Sequence, residues 1–205
     1  AGDRVAAEGR ARQRTSRERL RDAARSRKFH VYSCRSRSVV ASSNTVKVEL
    51  LRAMLPREIA AAAHRDEQQK VVEWLRKGGH VDALDENGRG LLQAAAHGGS
   101  LRVARELLQR GASVDLRDAT GVTALMMAAM AGQQHAMVRL LLEHKASVDL
   151  QEAGGGTALM HASFEGHKAC VQELLEAGAS TELRDQRGET ALEAAEAKGH
   201  AAIVK

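Results

Sequence analysis

Histidine is the chemically most versatile residue type that is abundant in this sequence, with nine imidazoles in 205 residues. A metal site on a helix needs two ligands one turn apart, and no two of the nine histidines have the four-residue spacing that would place them so. The closest pair, His161 and His167, is six residues apart. We therefore expect no metal ion and no other cofactor.

The two cysteines and a run of three glycines add no catalytic chemistry. Cys34 lies between cations near the N-terminus, and Cys170 falls in an apolar run, where we expect a small core side chain. The run Gly154–Gly156 lacks the following Lys-Ser/Thr of a phosphate-binding loop. No spacing suggests a Ser/His/Asp set or a carboxylate pair. We therefore expect no catalytic residue and no enzyme in this stretch.

The elements that would position these residues recur with a fixed period. Opening glycines are separated by 33, 34 and 33 residues, and each is followed eleven residues later by a second glycine. The opening glycines are Gly88, Gly121, Gly155 and Gly188. A period near 33 residues is typical of a solenoid. The one extra residue of the third unit falls between Gly132 and Lys145.

Each unit reads as two helices followed by a short arm. An Ala-rich run and a second apolar run precede an alternating stretch such as Ala146–Leu150. Small residues at one position of the first run allow close helix packing, and a leucine three residues earlier predicts a recurrent core side chain: Leu92, Leu125, Leu159 and Leu192. Paired leucines, among them Leu174 and Leu175, predict the same for the second run, but a stack that ends in the fifth unit would leave these two partly uncovered. A threonine before the first run predicts a helix N-cap.

The repeated motifs resemble those of ankyrin-repeat proteins over about residues 55–205. They include G-V-T-A-L at 121–125, G-G-T-A-L at 155–159, G-E-T-A-L at 188–192 and L-L-x-x-G-A at 107–112 and 174–179. The Pro and His of the family's T-P-L-H motif are absent, and Gly90 stands in place of the Thr in one repeat. The resemblance implies an all-α solenoid of stacked helix–turn–helix units with β-hairpin arms. It also places His167 and His200 at a structural turn.

The resemblance and the glycine spacing together predict the domain organisation. Residues 1–43 form a basic, Arg/Ser-rich tail that we expect to be disordered. Residues 44–54 are a linker or an N-terminal cap, and residues 55–205 form the repeat domain. The predicted repeats are 55–87, 88–120, 121–154, 155–187 and an incomplete unit at 188–205. Because the last unit is incomplete, we expect the chain to be a fragment of a longer one.

Charge is concentrated in the N-terminal tail. Residues 1–37 hold twelve Lys/Arg and four Asp/Glu, a net charge of +8, whereas the whole chain has +5. Three interpretations stay open. The tail is a solvated arm, it contacts nucleic acid or an acidic surface through Arg with Phe29 and Tyr32, or it belongs to an organelle-targeting segment.

The candidate binding residues come from the positions that the resemblance assigns to the concave, variable face of the repeats. The resemblance places on this face His97, Met127, Met130, His161, Phe164 and Glu165. Met127, Met130 and Phe164 would form an apolar stripe suited to a partner. The alternative is that the two methionines pack between repeats.

The arm tips supply a second set of candidate contacts with an acidic bias. This set comprises Asp118, Thr120, Glu152, Asp185 and Arg187. An acidic surface of this kind favours a partner with some basic character.

The resemblance implies a non-catalytic protein–protein interaction module that binds a protein partner through the concave face and the tips. Two alternatives remain: a nucleic-acid-associated protein that binds through residues 1–43, and the regulatory region of a larger enzyme. No apolar run has the roughly 20 residues of a transmembrane helix. We expect a monomeric repeat domain in the cytoplasm or nucleus, with organelle targeting by the basic tail as the alternative.

Overall fold

The computed structural model describes residues 54–132 and 135–204, which form ten α-helices. The predictions for the tail at 1–43 and for most of the segment 44–54 fall outside the described residues. The helices are α1 Arg57–His64, α2 Gln68–Arg76, α3 Leu91–Gly98, α4 Leu101–Gln109, α5 Ala124–Ala131, α6 His135–Glu143, α7 Ala158–Glu165, α8 Lys168–Glu176, α9 Ala191–Lys198 and α10 Ala201–Val204. One helix pair falls in each of the five predicted units.

Threonine caps begin three of the first helices, as the sequence predicts. The hydroxyl oxygens of Thr123, Thr157 and Thr190 accept hydrogen bonds from the backbone N–H three residues on, at 3.2–3.4 Å. Glu193 completes a capping box by accepting from the N–H of Thr190 at 2.7 Å. Each cap satisfies a donor that the helix leaves free and is worth about 1 kcal/mol.

The repeat that lacks the threonine uses a buried glutamine instead. Gln93 is 1% exposed, and its Oε1 accepts from the N–H of Gly90 at 2.6 Å. Its Nε2 donates to the carbonyl oxygen of Val122 at 2.7 Å. One side chain thus starts α3 and joins it to the next repeat.

The helices form two layers, because each first helix packs on the first helix of the next repeat and each second helix does the same. Alanines at one shared position of the four later first helices are fully buried: Ala95, Ala128, Ala162 and Ala195. Leu92, Leu125 and Leu159 are 1–3% exposed. The chain is therefore an all-α repeat solenoid held together by contacts between neighbouring units.

Two predicted core leucines are not in the core. Leu192 is 49% exposed and Leu175 is 44% exposed. Leu192 lies in α9, and within the described residues no helix pair follows α9 and α10. Leu175 lies in α8, and the next second helix, α10, has only four residues, Ala201–Val204, so it covers α8 incompletely. The core prediction was wrong for Leu192, because burial in a stack depends on the neighbouring repeat as well as on the repeat itself. The exposure of Leu175 agrees with the expectation that a stack ending in the fifth unit leaves it partly uncovered.

The predicted β-hairpin arms are not confirmed. Extended pairing within the described residues is limited to the isolated bridges Met54–Leu84 and Leu84–Gly90. The arm tips are tight turns, in which the N–H of Gly121 donates to the carbonyl oxygen of Asp118 at 3.0 Å and the other tips repeat the pattern. Short turns stabilised by hydrogen bonds stand where the strands were expected.

A ladder of aspartates joins the arms of successive repeats. The Asp115 carboxylate accepts from the backbone N–H of Ser147 at 2.9 Å and from its hydroxyl at 2.6 Å. Asp82 makes the same two bonds to Ser113 in the preceding pair of repeats, and Asp149 accepts from the N–H of Ser180. Charge-assisted bonds repeated at each junction fix the register of one arm on the next.

Lys145 follows α6 with a left-handed backbone, at φ +66°. Glycine occupies the corresponding position in three other repeats, and at each of them an added Cβ would meet nothing within 4 Å: Gly78, Gly111 and Gly178. The cost at Lys145 is therefore conformational rather than steric.

We predict that Lys145→Gly raises the free energy of unfolding by about 0.5–1 kcal/mol, because glycine adopts this conformation without strain. Urea unfolding followed by circular dichroism measures the change. Lys145→Ala is the control, since it removes the charge but keeps the Cβ, and it should give no gain. An equal gain in the free energy of unfolding in both variants would contradict the prediction, because it would show that the lost charge, and not the backbone conformation, causes the effect.

Candidate functional site

The predicted binding residues on the first helices lie at equivalent positions of neighbouring units. His97 is in α3, Met130 in α5 and Phe164 in α7, and these helices pack side by side. His97 is exposed, Met130 is 42% exposed and Phe164 is half-buried. Glu165, next to Phe164, is exposed. We call these four residues, with Met127 and His161 beside them, the first-helix face.

Met127 belongs partly to the core and partly to a surface cavity. Its side chain is half-buried and packs against the hydrophobic core. It also lines a cavity of about 210 Å³ together with Gln93 and His97. Of the two methionines, Met130 is therefore the one that presents most of its surface to solvent.

His64 extends the first-helix face into the first repeat, where the sequence analysis named no candidate. Its ring centroid lies 5.2 Å from that of His97, with the rings tilted by 48°. Both side chains are exposed. His64 stands 33 residues before His97, so the repeat period itself could have found it.

His167 and His200 are structural, as the resemblance implies. Nε2 of His167 lies 3.2 Å from the carbonyl oxygen of Met130, and Nε2 of His200 lies 3.0 Å from that of Phe164. Ser100 makes the corresponding bond to the carbonyl oxygen of His64 at 2.9 Å. These contacts provide partners for backbone carbonyl groups near the C-terminal ends of the first helices. They also fix the backbone beneath the first-helix face.

Cys170 has the core position that the sequence predicts. Its side chain is fully buried, and burial raises the pKa of the thiol. A buried protonated thiol is a poor nucleophile. Cys34 lies outside the described residues.

The acidic residues of the tips bind their own turns. The carboxylate of Asp118 accepts from the N–H groups of Thr120 and Val122 at 2.8 and 3.0 Å. Glu152 and Asp185 accept in the same way from the residues two and four positions on. These carboxylates therefore shape the tips, and their contact with a partner stays a prediction.

Thr120 and Arg187 are the two exposed polar side chains in the predicted tip set. Arg187 pairs with the carboxylates of Asp185 and Glu189, each at 3.1 Å. The hydroxyl of Thr120 donates to Asp118 at 2.7 Å. Both side chains already have partners within their own tip.

His161 has an unusual environment on the first-helix face. Its Nε2 is buried and has no hydrogen-bond partner among the described residues. Burial lowers the pKa of its imidazole, an effect that the carboxylates of Glu152 and Glu165 partly oppose. The neutral ring is therefore favoured, and a buried polar atom without a partner costs about 1–3 kcal/mol.

We predict that His161→Met stabilises the protein by about 1 kcal/mol at pH 7, since methionine removes the unsatisfied nitrogen and Met127 occupies the same position one repeat earlier. The stability that the neutral ring contributes is present above its ordinary pKa of 6.5 and is lost as the pH falls through its lowered value. The variant should therefore lose less stability than the wild type below pH 6.5. Thermal unfolding at pH 7.5 and 5 measures both effects, and equal pH dependence in the two proteins would contradict the burial argument.

A family model described as ankyrin repeats (3 copies) matches residues 59–152 and 135–205, which together span well over half of the chain. The protein therefore belongs to the ankyrin-repeat family. A comparison with curated proteins found no matching sequence. Ankyrin repeats generally mediate protein–protein interactions, and ankyrin-repeat domains are typically non-catalytic. None of the ten described helices combines the length and apolar character that a membrane crossing requires.

Proposed function

We propose that this protein is a non-catalytic interaction module that binds a protein partner through the first-helix face, with the arm tips at its border. The observation that carries the proposal is the contrast between two positions of the same helices. One position carries alanine in the four later repeats, all fully buried. The position two residues further on carries His97, Met130, Phe164 and Ala197.

At the first position, packing between helices fixes the residue type. At the second position, on the surface, the residue type varies from repeat to repeat. Close packing explains the repeated alanine, because a larger side chain would push the helices apart. No packing requirement explains a 42% exposed methionine at a position where the last repeat has alanine. Exposed apolar side chains grouped in this way favour contact with another protein, and methionine adapts its shape to a partner.

The tips add charge to the border of this surface. The acidic side chains Asp118, Glu152 and Asp185 favour a partner with basic character. On the same tips, Arg187 keeps further N–H donors besides those that pair with Asp185 and Glu189, and the exposed hydroxyl oxygen of Thr120 can accept. The apolar side chains would supply most of the affinity, and the tips would select among partners.

The experiment is a capture from native lysate with the 205-residue protein and with a Met130→Glu, Phe164→Glu double variant. We predict capture of a partner by the wild type and at least tenfold less by the variant, because two buried, unpaired carboxylates oppose binding. The control carries Ala136→Glu and Ala169→Glu, two exposed positions on the second helices. Equal capture by all three proteins would exclude the first-helix face as the binding surface.

A further inference from the structure

A cavity of about 410 Å³ is lined by the tip at 152–156 and by the next tip along the chain, at 185–189. Its lining includes Glu152, Gly156, His161, Phe164 and Glu189. We call it the tip pocket. Its volume lies in the range of about 300–1,000 Å³ that is typical of ligand pockets, so it can hold one large side chain of a partner.

Gly156 lets the side chains of Glu152 and His161 approach its backbone closely at the base of the tip pocket. The other repeats carry Arg89, Val122 and Glu189 at this position. A Cβ added at Gly156 would lie 3.0 Å both from Oε1 of Glu152 and from Nε2 of His161. Gly156 is not among the glycines with positive φ, so its backbone does not require glycine. A side chain at this position would therefore displace Glu152 and His161 and change the shape of the pocket base.

His161 places a polar group at this base that stability alone does not explain. Its Nε2 is buried without a hydrogen-bond partner among the described residues. The corresponding residues Ala94, Met127 and Ala194 have no such atom. A buried polar group without a partner is rare and costs free energy, and such groups are found at functional sites.

The charges around the tip pocket favour a cation. Glu152, Asp185 and Glu189 supply three carboxylates, and Arg187, which pairs with two of them, is the lining cation. The lowered pKa of His161 keeps its ring neutral. The ring of Phe164 accepts a cation within the protein, since Nζ of Lys198 lies 4.1 Å from its centroid. With Lys198 counted beside Arg187, the three carboxylates still leave a net charge of −1.

We propose that the tip pocket binds a cationic side chain, arginine or lysine, of the protein partner. This inference rests on the proposed function and names one contact within it. The cation lies between the carboxylates and the ring of Phe164, where both attract it.

The test is a selection of random peptides on the 205-residue protein, followed by affinity measurements on synthetic peptides. We expect the selected peptides to share an arginine or lysine at one position. Replacing that residue by the neutral citrulline should weaken binding at least tenfold. Gly156→Val, which fills the base as Val122 does, and Glu189→Gln should abolish this tenfold preference. Glu182→Gln, an exposed acid outside the pocket, should keep it.

Peptides that bind without a basic residue, or a preference for the cation that survives in Gly156→Val and Glu189→Gln, would overturn the assignment. If no peptide is selected, the assignment is also contradicted. Loss of peptide binding in the Met130→Glu, Phe164→Glu variant without any effect of citrulline would leave the proposed function standing and remove the tip pocket from it. Circular dichroism of each variant separates these outcomes from unfolding.

Discussion

Leu125→Ala lowers the free energy of unfolding by about 2–5 kcal/mol, the usual cost of deleting a buried leucine side chain. Leu125 is 1% exposed in α5, the first helix of the middle repeat. Both neighbouring first helices pack on α5, so the cavity lies at two junctions of the stack. In a solenoid each repeat contacts only its neighbours, so a loss of this size in the middle repeat allows the two ends of the stack to unfold separately. Urea unfolding followed by circular dichroism measures the change.

Leu192→Ala is the matched control, because Leu192 occupies the same position of α9. It is 49% exposed, so its truncation should cost less than about 1 kcal/mol. The two variants delete the same atoms at equivalent positions and differ in whether a further helix pair covers them. An equal cost in both would show that the burial pattern described for the stack is wrong.

Gly98→Ala should destabilise the protein by about 1–3 kcal/mol, although alanine is the better helix former by about 1 kcal/mol. A Cβ at Gly98 would overlap the backbone carbonyl of His64, because α1 and α3 approach closely at this point. The carbonyl belongs to backbone and cannot move aside as a flexible side chain could. Thermal unfolding measures the change, and its sign alone is informative.

The close approach of α1 and α3 is not repeated between the later first helices. The corresponding residues are Ala131, Glu165 and Lys198, so the junctions after the second repeat accept a side chain. Ala131→Gly serves as the reverse control and should cost about 1 kcal/mol through helix propensity. A stabilising Gly98→Ala would contradict the close approach of α1 to α3.

Period and motif were sufficient to predict the helices, because each unit repeats its own local signals. The threonine caps and the alanine-lined first helices follow from residue type and spacing alone. The exposure of Leu192 could not be predicted in this way, since it depends on what covers a repeat. The left-handed backbone of Lys145 could not be predicted, because glycine is the residue that usually indicates this conformation.

The candidate site was predictable in outline but not in its chemistry. The repeat period places Met130 and Phe164 at equivalent positions on one face, and in the structure both lie on the first-helix face. The tip pocket depends on a missing side chain at Gly156 and a buried nitrogen of His161, which no motif indicates. The structural role of Asp118 could have been inferred from its distance to Gly121, since short acidic side chains often accept from the next turn.

Site-specific photo-cross-linking tests most directly which face of the repeats binds a partner. A photoreactive amino acid would replace Met130 in one protein and Ala136, an exposed residue of α6, in another. Both would be irradiated in native lysate. The account predicts a covalent product with a partner from position 130 and none from position 136. A product from position 136 alone would contradict it and place binding on the second helices.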